Sequence, residues 1–265
     1  MGSFAAPAKF PSINTAWAAT LPTLPGVAPP PGATSGLVTK RAMTSAYFIT
    51  GTDTGVGKTL IACALLHRFA QDGRRVIGMK PVAAGVDAEG RNEDVELLRA
   101  ASNVDAAPEL TNPYLLRLAM SPQLAARHDN VAINLSHIAH CLAQLLAQAD
   151  TVIVEGAGGF RVPLNNTQDG ADLAQRLALP VILVVGLRLG CLNHALLTQE
   201  AIAARGLRLA GWVANQIDPQ MSGVEENIAT LTARLDAPML GFVPWQVRAN
   251  AVHVSSHLTL PNAPE

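Results

Sequence analysis

The chain has 265 residues, 49% of them apolar and 15% charged, with a formal net charge of −1. That apolar supply can fill one large core with helices on both faces of a sheet. Near-neutrality without a basic stripe excludes a nucleic-acid binder, and the longest apolar run, Leu177 to Leu187, is too short to span a bilayer and is broken by Pro180.

Residues 1–45 stand apart in composition. Pro7, Pro11, Pro22, Pro25, Pro29, Pro30 and Pro31 recur among Ala, Ser, Thr and Gly, and no acid precedes Asp53. Without a hydrophobic period the segment reads as a disordered extension. An over-long start, with Met43 opening the folded part, and a targeting peptide are the competing readings. A transit peptide is usually Arg-rich, however, and here only Lys9, Lys40 and Arg41 are basic.

From residue 46 to 265 a single domain of alternating strands and helices is expected. Tyr47-Phe48-Ile49 is a short strand ending in a Gly/Thr-rich turn, and a helix follows from about Lys58 to Gln71. Val76–Met79 is a second strand that stops at Lys80-Pro81, and helices are expected near Glu93–Ala101 and Asn134–Gln148. Thr151–Val154, ending at Glu155, Val181–Val185, Leu209–Val213, ending at Asn215, and Met239–Val243 complete the strands. This alternation predicts an α/β fold with a doubly wound, mainly parallel sheet, and the Gly-Lys-Thr turn Gly57–Thr59 between its first strand and helix makes it one of P-loop NTPase type. Ligands of such sheets sit beyond the carboxyl ends of the strands, where the Thr50–Thr59 turn, Lys80, Glu155 and Asn215 converge. Cys63, Cys141 and Cys191 are far apart and read as free thiols of a reducing, cytoplasmic compartment.

In the Thr50–Thr59 turn, Gly55, Val56, Gly57, Lys58 and Thr59 form the phosphate-binding part. Inward-pointing amides and the positive end of the following helix suit phosphate, Lys58 reaches the β- and γ-phosphates, and the Thr59 hydroxyl can ligate Mg²⁺. The usual spacing puts its first glycine at position 52, which is Thr52; Gly51 stands one residue early.

The stretch Gly51–Thr59 resembles the phosphate loop of dethiobiotin synthases, and further blocks follow in that family's order. They are Lys80–Gly85, Asn112-Pro113-Tyr114, Ser121-Pro122, Val154–Gly159, Leu189–Ala195, Gly211–Asn215 and Pro244-Trp245. The resemblance implies closure of a cyclic urea. CO₂ adds to one amine of 7,8-diaminopelargonate as a carbamate, ATP phosphorylates the carbamate, and the second amine displaces phosphate. It implies Lys80 and Lys58 as the catalytic cations, and Thr59, Asp94 and Glu155 as the Mg²⁺ ligands. Thr54, Lys80 and the turn Gly190, Cys191, Leu192 and Asn193 would meet the substrate, the turn by reaching the active site of a neighbouring subunit in a homodimer. Asn215 would read the adenine edge, with Pro244 and Trp245 flanking it.

Each role has a bland competitor. Lys80 can be a solvated lysine at a strand end, Asp94 a helix cap confusable with Glu93, Trp245 ordinary core packing. Asp53 can add a metal contact or only structure the loop, and Cys191 and His194 read as packing residues. His137, His140 and Cys141 share a helical segment, but packing is the simpler role for them than metal binding. Two departures border the site: some family members carry Glu at the position of Gly55 and Ser at that of Ala84. The rival from another class is a nucleotide-switched ATPase of the ParA/MinD kind, whose signature lysine would fall at Asp53.

Overall fold

The structure, a computed structural model, describes residues 44–261; the proline-rich segment lies outside them apart from its last two residues. β1 (Ser45–Gly51) is buried throughout and leads through the glycine-rich turn into α1 (Lys58–Gln71). β2 (Val76–Met79) and the short β3 (Val82–Ala84) precede α2 (Glu93–Ala101), α3 (Pro108–Thr111) and β4 (Tyr114–Leu116). Next come α4 (Pro122–His128), α5 (Leu135–Gln148), β5 (Thr151–Gly159) and α6 (Gly170–Leu177). β6 (Val181–Leu187), α7 (Cys191–Ala204), β7 (Leu209–Gln216), α8 (Val224–Arg234), β8 (Met239–Val243) and α9 (Ala251–Ser255) close the chain.

The main sheet has six strands in the order β2-β5-β1-β6-β7-β8, and every neighbouring pair is parallel. Strand side chains alternate between two apolar layers, as a period of two demands. Phe48, Val152 and Val154 face the layer of α5 and α6 with Ile138, Leu142 and Leu173, while Tyr47, Ile49 and Ile153 face α1 through Ile61, Leu65 and Phe69. The mainly parallel, doubly wound expectation therefore holds. β2 and β5 lie to one side of β1, and β6, β7 and β8 to the other. The carboxyl ends of β1, β5 and β6 flank the point where the order reverses, the crevice such sheets use for ligands.

The three helices expected with bounds, near 58–71, 93–101 and 134–148, are α1, α2 and α5, while several strands run further than expected. β1 starts at Ser45 and reaches Gly51, and β6 reaches Leu187. β5 does not end at Glu155: after a bulge, pairing resumes between Gly51 and Gly159, so Glu155 lies inside the strand opposite Ile49. β3 and β4, a separate two-stranded parallel sheet, have no counterpart in the sequence reading. At three residues each they are too short to display a period. Among the described residues no helix is long and apolar enough to cross a membrane.

Candidate active site

The turn from β1 to α1 is held by its backbone and by Asn215. Gly57, with φ of 90°, is the α1 N-cap and supplies no side chain to the first-turn amides, which leaves them for an outside acceptor. The Asn215 Nδ2 donates to the Val56 carbonyl at 2.8 Å, and a Cβ on Gly57 would stand 2.3 Å from that same nitrogen. The displaced glycine also has a reason. A Cβ at position 51 would meet Val56 Cγ2 at 2.5 Å, so Gly51 lets Val56 fold back over the strand. Thr52 can replace a glycine because its amide donates to the Val184 carbonyl (3.0 Å) and its hydroxyl accepts from the Gly186 amide (3.4 Å).

Asp53 structures the loop. Its Oδ1 accepts the Thr54 amide at 2.7 Å, its Oδ2 pairs with the Arg188 guanidinium at 2.5 Å, and its carbonyl accepts from Lys58 Nζ at 3.2 Å. A residue that sequence reasoning missed, Arg188, thus ties the phosphate loop to the end of β6; no motif points to it.

Lys80 is not a solvated strand-end lysine; it is 5% exposed. Its amide donates to the Thr111 carbonyl and its carbonyl accepts from Asn112 Nδ2 at 2.6 Å, which fixes the backbone where β2 ends. Its Nζ donates to Glu155 Oε1 at 2.6 Å and to Asp94 Oδ2 at 2.8 Å. The Thr59 hydroxyl lies between the same carboxylates, 2.8 Å from Asp94 Oδ1 and 2.9 Å from Glu155 Oε1. Asp94 is not the α2 cap, because Asn92 accepts from the Val95 amide in that role, and it is Asp94 rather than Glu93 that meets Lys80.

Charge follows geometry. Burial opposes the Lys80 charge, but Glu155 and Asp94 outweigh it and hold the ammonium above its ordinary range. Lys58 is pulled down by burial first and by the Lys80 charge second. Burial also raises Asp94, yet the charge and hydrogen bond of Lys80 bring it below the usual carboxylate range. Burial raises the Glu155 carboxyl, with Lys80 pulling the other way.

These groups line one cleft of about 660 Å³, together with Thr54, Gly55, Gly57, Ala84, Ala119, Ser121 and Pro122. Of the expected residues, Gly55, Gly57, Lys58, Thr59, Lys80, Asp94 and Glu155 are brought together there, whereas Val56 is buried and does not line the cleft. Asn215 lies behind the loop at 5% exposure. Trp245 is 43% exposed and therefore not core. The turn 190–193 does not line the cleft: Cys191 is buried with its thiol 3.8 Å from Asn227 Oδ1, while Leu189 beside it is 95% exposed. His137 packs edge-on against Tyr114, and its Nε2 is 3.8 Å from the Cys141 thiol.

The residues fit a divalent cation. Glu155 Oε2 is buried without a hydrogen-bond partner, so this carboxylate has unmet capacity. Among the described residues no cluster of three or more His, Cys, Asp or Glu could hold a metal. Two carboxylates and a hydroxyl beside a phosphate loop match Mg²⁺, which keeps waters and shares phosphate oxygens, and not a dedicated metal cage.

Fold and cleft together define a P-loop nucleotide-binding α/β protein. The family model described as "AAA domain" matches residues 45–252. The chain is 55% identical over 219 residues to the ATP-dependent dethiobiotin synthetase BioD of Aromatoleum aromaticum, covering 82% of this chain and 97% of that one. It is 56% identical over 216 residues to the enzyme of the same name from Ralstonia nicotianae, covering 80% and 94%. Among solved structures, the MinC:MinD cell division complex of Aquifex aeolicus has a TM-score of 0.50 at 14% identity, over 77% of this chain and 82% of that one. That likeness shows the fold alone. The chain belongs to the ATP-dependent dethiobiotin synthetase family.

Proposed function

We propose that this protein is a ligase of biotin biosynthesis that converts 7,8-diaminopelargonate, CO₂ and ATP into dethiobiotin, ADP and phosphate. The observation that most supports this reading is the buried Lys80, held between Asp94 and Glu155 at the mouth of the phosphate loop. The reaction brings two anions together, a carbamate and the γ-phosphate, and their repulsion is the barrier that fixed cations lower. Lys58 and the α1 amides would hold the phosphates; Lys80, which lines the same cleft, would face the carbamate. Neither lysine needs a covalent step, because positioning and charge suffice. Thr59, Asp94 and Glu155 would hold Mg²⁺, which when bound neutralises phosphate charge.

Asn215 would present its remaining amide hydrogen and its carbonyl to the adenine, with Pro244 and the exposed Trp245 beside the base. The glycine-capped start of α7 would receive the carboxylate tail of a substrate bound by the partner in a homodimer, consistent with its place outside this chain's own cleft. Gly55 and Ala84 both line the cleft, so the departures noted there fall where affinity would be tuned. The reading carries a cytoplasmic location and a ligase domain over 46–265, with residues 1–45 as an extension.

The test is ADP release from MgATP and bicarbonate, with and without 7,8-diaminopelargonate. Strict dependence on the diamine, with dethiobiotin as product, is the expected outcome. Turnover indifferent to the diamine would sink the ligase reading and favour a switch ATPase. Light scattering tests the dimer.

A further inference from the structure

We infer that Lys80 and the divalent cation are alternative occupants of the Asp94–Glu155 pair, so that the metal, arriving with the nucleotide, displaces Lys80 into the cleft. The inference rests on the function proposed above and adds an order of events to it.

Lys80 Nζ stands 2.6 Å from Glu155 Oε1 and 2.8 Å from Asp94 Oδ2, and the Thr59 hydroxyl takes the remaining reach of Glu155 Oε1 and of Asp94 Oδ1. The one carboxylate oxygen left over, Glu155 Oε2, is sealed from solvent. A cation can use Glu155 only by taking Oε1, where Lys80 and Thr59 already sit, or by turning the carboxylate to bring Oε2 out, and either route competes with the short Lys80 contact. A dication held by these carboxylates would compete with the Lys80 ammonium for the same oxygens.

Charge sets the order. Lys58, Lys80, Asp94 and Glu155 formally cancel, and Lys58 and Lys80 already repel one another. Adding a free dication there places it beside two ammonium groups, whereas a cation carried on a triphosphate brings its own negative charge. Lys80 is thus tied up until the metal–nucleotide is in place, and is then released toward the side of the cleft where two anions must meet. An apparent structural salt bridge becomes a device that withholds the catalytic cation from an unloaded site.

Mn²⁺ binding to the full-length, nucleotide-free protein, followed by electron paramagnetic resonance, tests this without any turnover. Lys80→Met is expected to bind Mn²⁺ at least tenfold more tightly than the parent. Lys58→Met removes an equal charge without touching Asp94 or Glu155 and is expected to change affinity less than threefold. Unchanged or weaker Mn²⁺ binding by K80M, or an equal gain in both variants, overturns the exchange. Should K80M fail to fold, the parent protein still decides through its lysine side-chain ¹⁵N resonances. The Lys80 ammonium signal should shift or vanish when Mg²⁺ is added with a non-hydrolysable ATP analogue and stay in place with the analogue alone. A signal unmoved by the metal refutes the idea. Absence of dethiobiotin synthesis would remove the function proposed above and leave these binding readouts intact.

Discussion

Substituting Gly57→Ala probes the tie between the phosphate loop and β7. Two costs are built in. The backbone at position 57 has φ of 90°, a left-handed conformation that costs an alanine about 1–2 kcal/mol. The new Cβ would also lie 2.3 Å from Asn215 Nδ2, so the amide must leave and its 2.8 Å bond to the Val56 carbonyl is lost. Stranding that buried acceptor costs about 1–3 kcal/mol. The sum, about 2–5 kcal/mol, corresponds to a fall in Tm of roughly 4–20 °C for a domain of this size. Asn215→Ala alone loses the same hydrogen bond, so the second cost is common to both variants. The double variant G57A/N215A should therefore be more stable than the sum of the singles implies, by about 1–3 kcal/mol. Urea titrations of all four proteins measure this directly. Additivity within about 0.5 kcal/mol would refute the account, since it would mean that the loop and Asn215 move independently.

Other outcomes follow from single features. Burial, with the negative charges of Glu155 and Asp94 behind it, pushes the Cys63 thiol up to about 12, and Cys141 and Cys191 are also buried; native protein should leave a thiol reagent unreacted at pH 8 and consume three equivalents once unfolded. Asp129 accepts from the Arg117 amide and Nε, both at 2.8 Å, and these bonds hold its carboxyl below the ordinary range. Its contribution is therefore present above the unfolded-chain value of about 4 and lost as pH falls through the depressed one; Asp129→Asn should lower Tm near neutrality and flatten its acid limb, and an unchanged Tm–pH profile would count against it. Trp245 is 43% exposed while Trp212 is fully buried, so base stacking on Trp245 should quench fluorescence as nucleotide is added, and Trp245→Phe should abolish most of that change. Quenching of equal size in the variant would place the base elsewhere.

What could be read from residue order was whatever repeats or whatever chemistry forces. Val181–Val185 must be a strand flanked on both faces, since it offers no polar side; Lys58-Thr59 after glycines must open a helix at phosphate. The three-residue β3 and β4 carry no such pattern, and their pairing depends on Asn112, whose amide bonds the carbonyls of both Lys80 and Tyr114 across a gap in sequence. The choice between Glu93 and Asp94 shows the limit most clearly. Both are acids in the first turn of α2, and composition treats them alike. Once Asn92 takes the cap, adjacent positions on a helix point about 100° apart, so only one of the two can face the cleft. Which one is fixed by the direction in which α2 leaves β3, set by the Asn92 amide on the Gly85 carbonyl at 2.7 Å. The cleft-facing carboxylate is thus selected by a cap two residues before it, and exchanging the acids at 93 and 94 would keep every local propensity while removing the partner of Lys80 and Thr59.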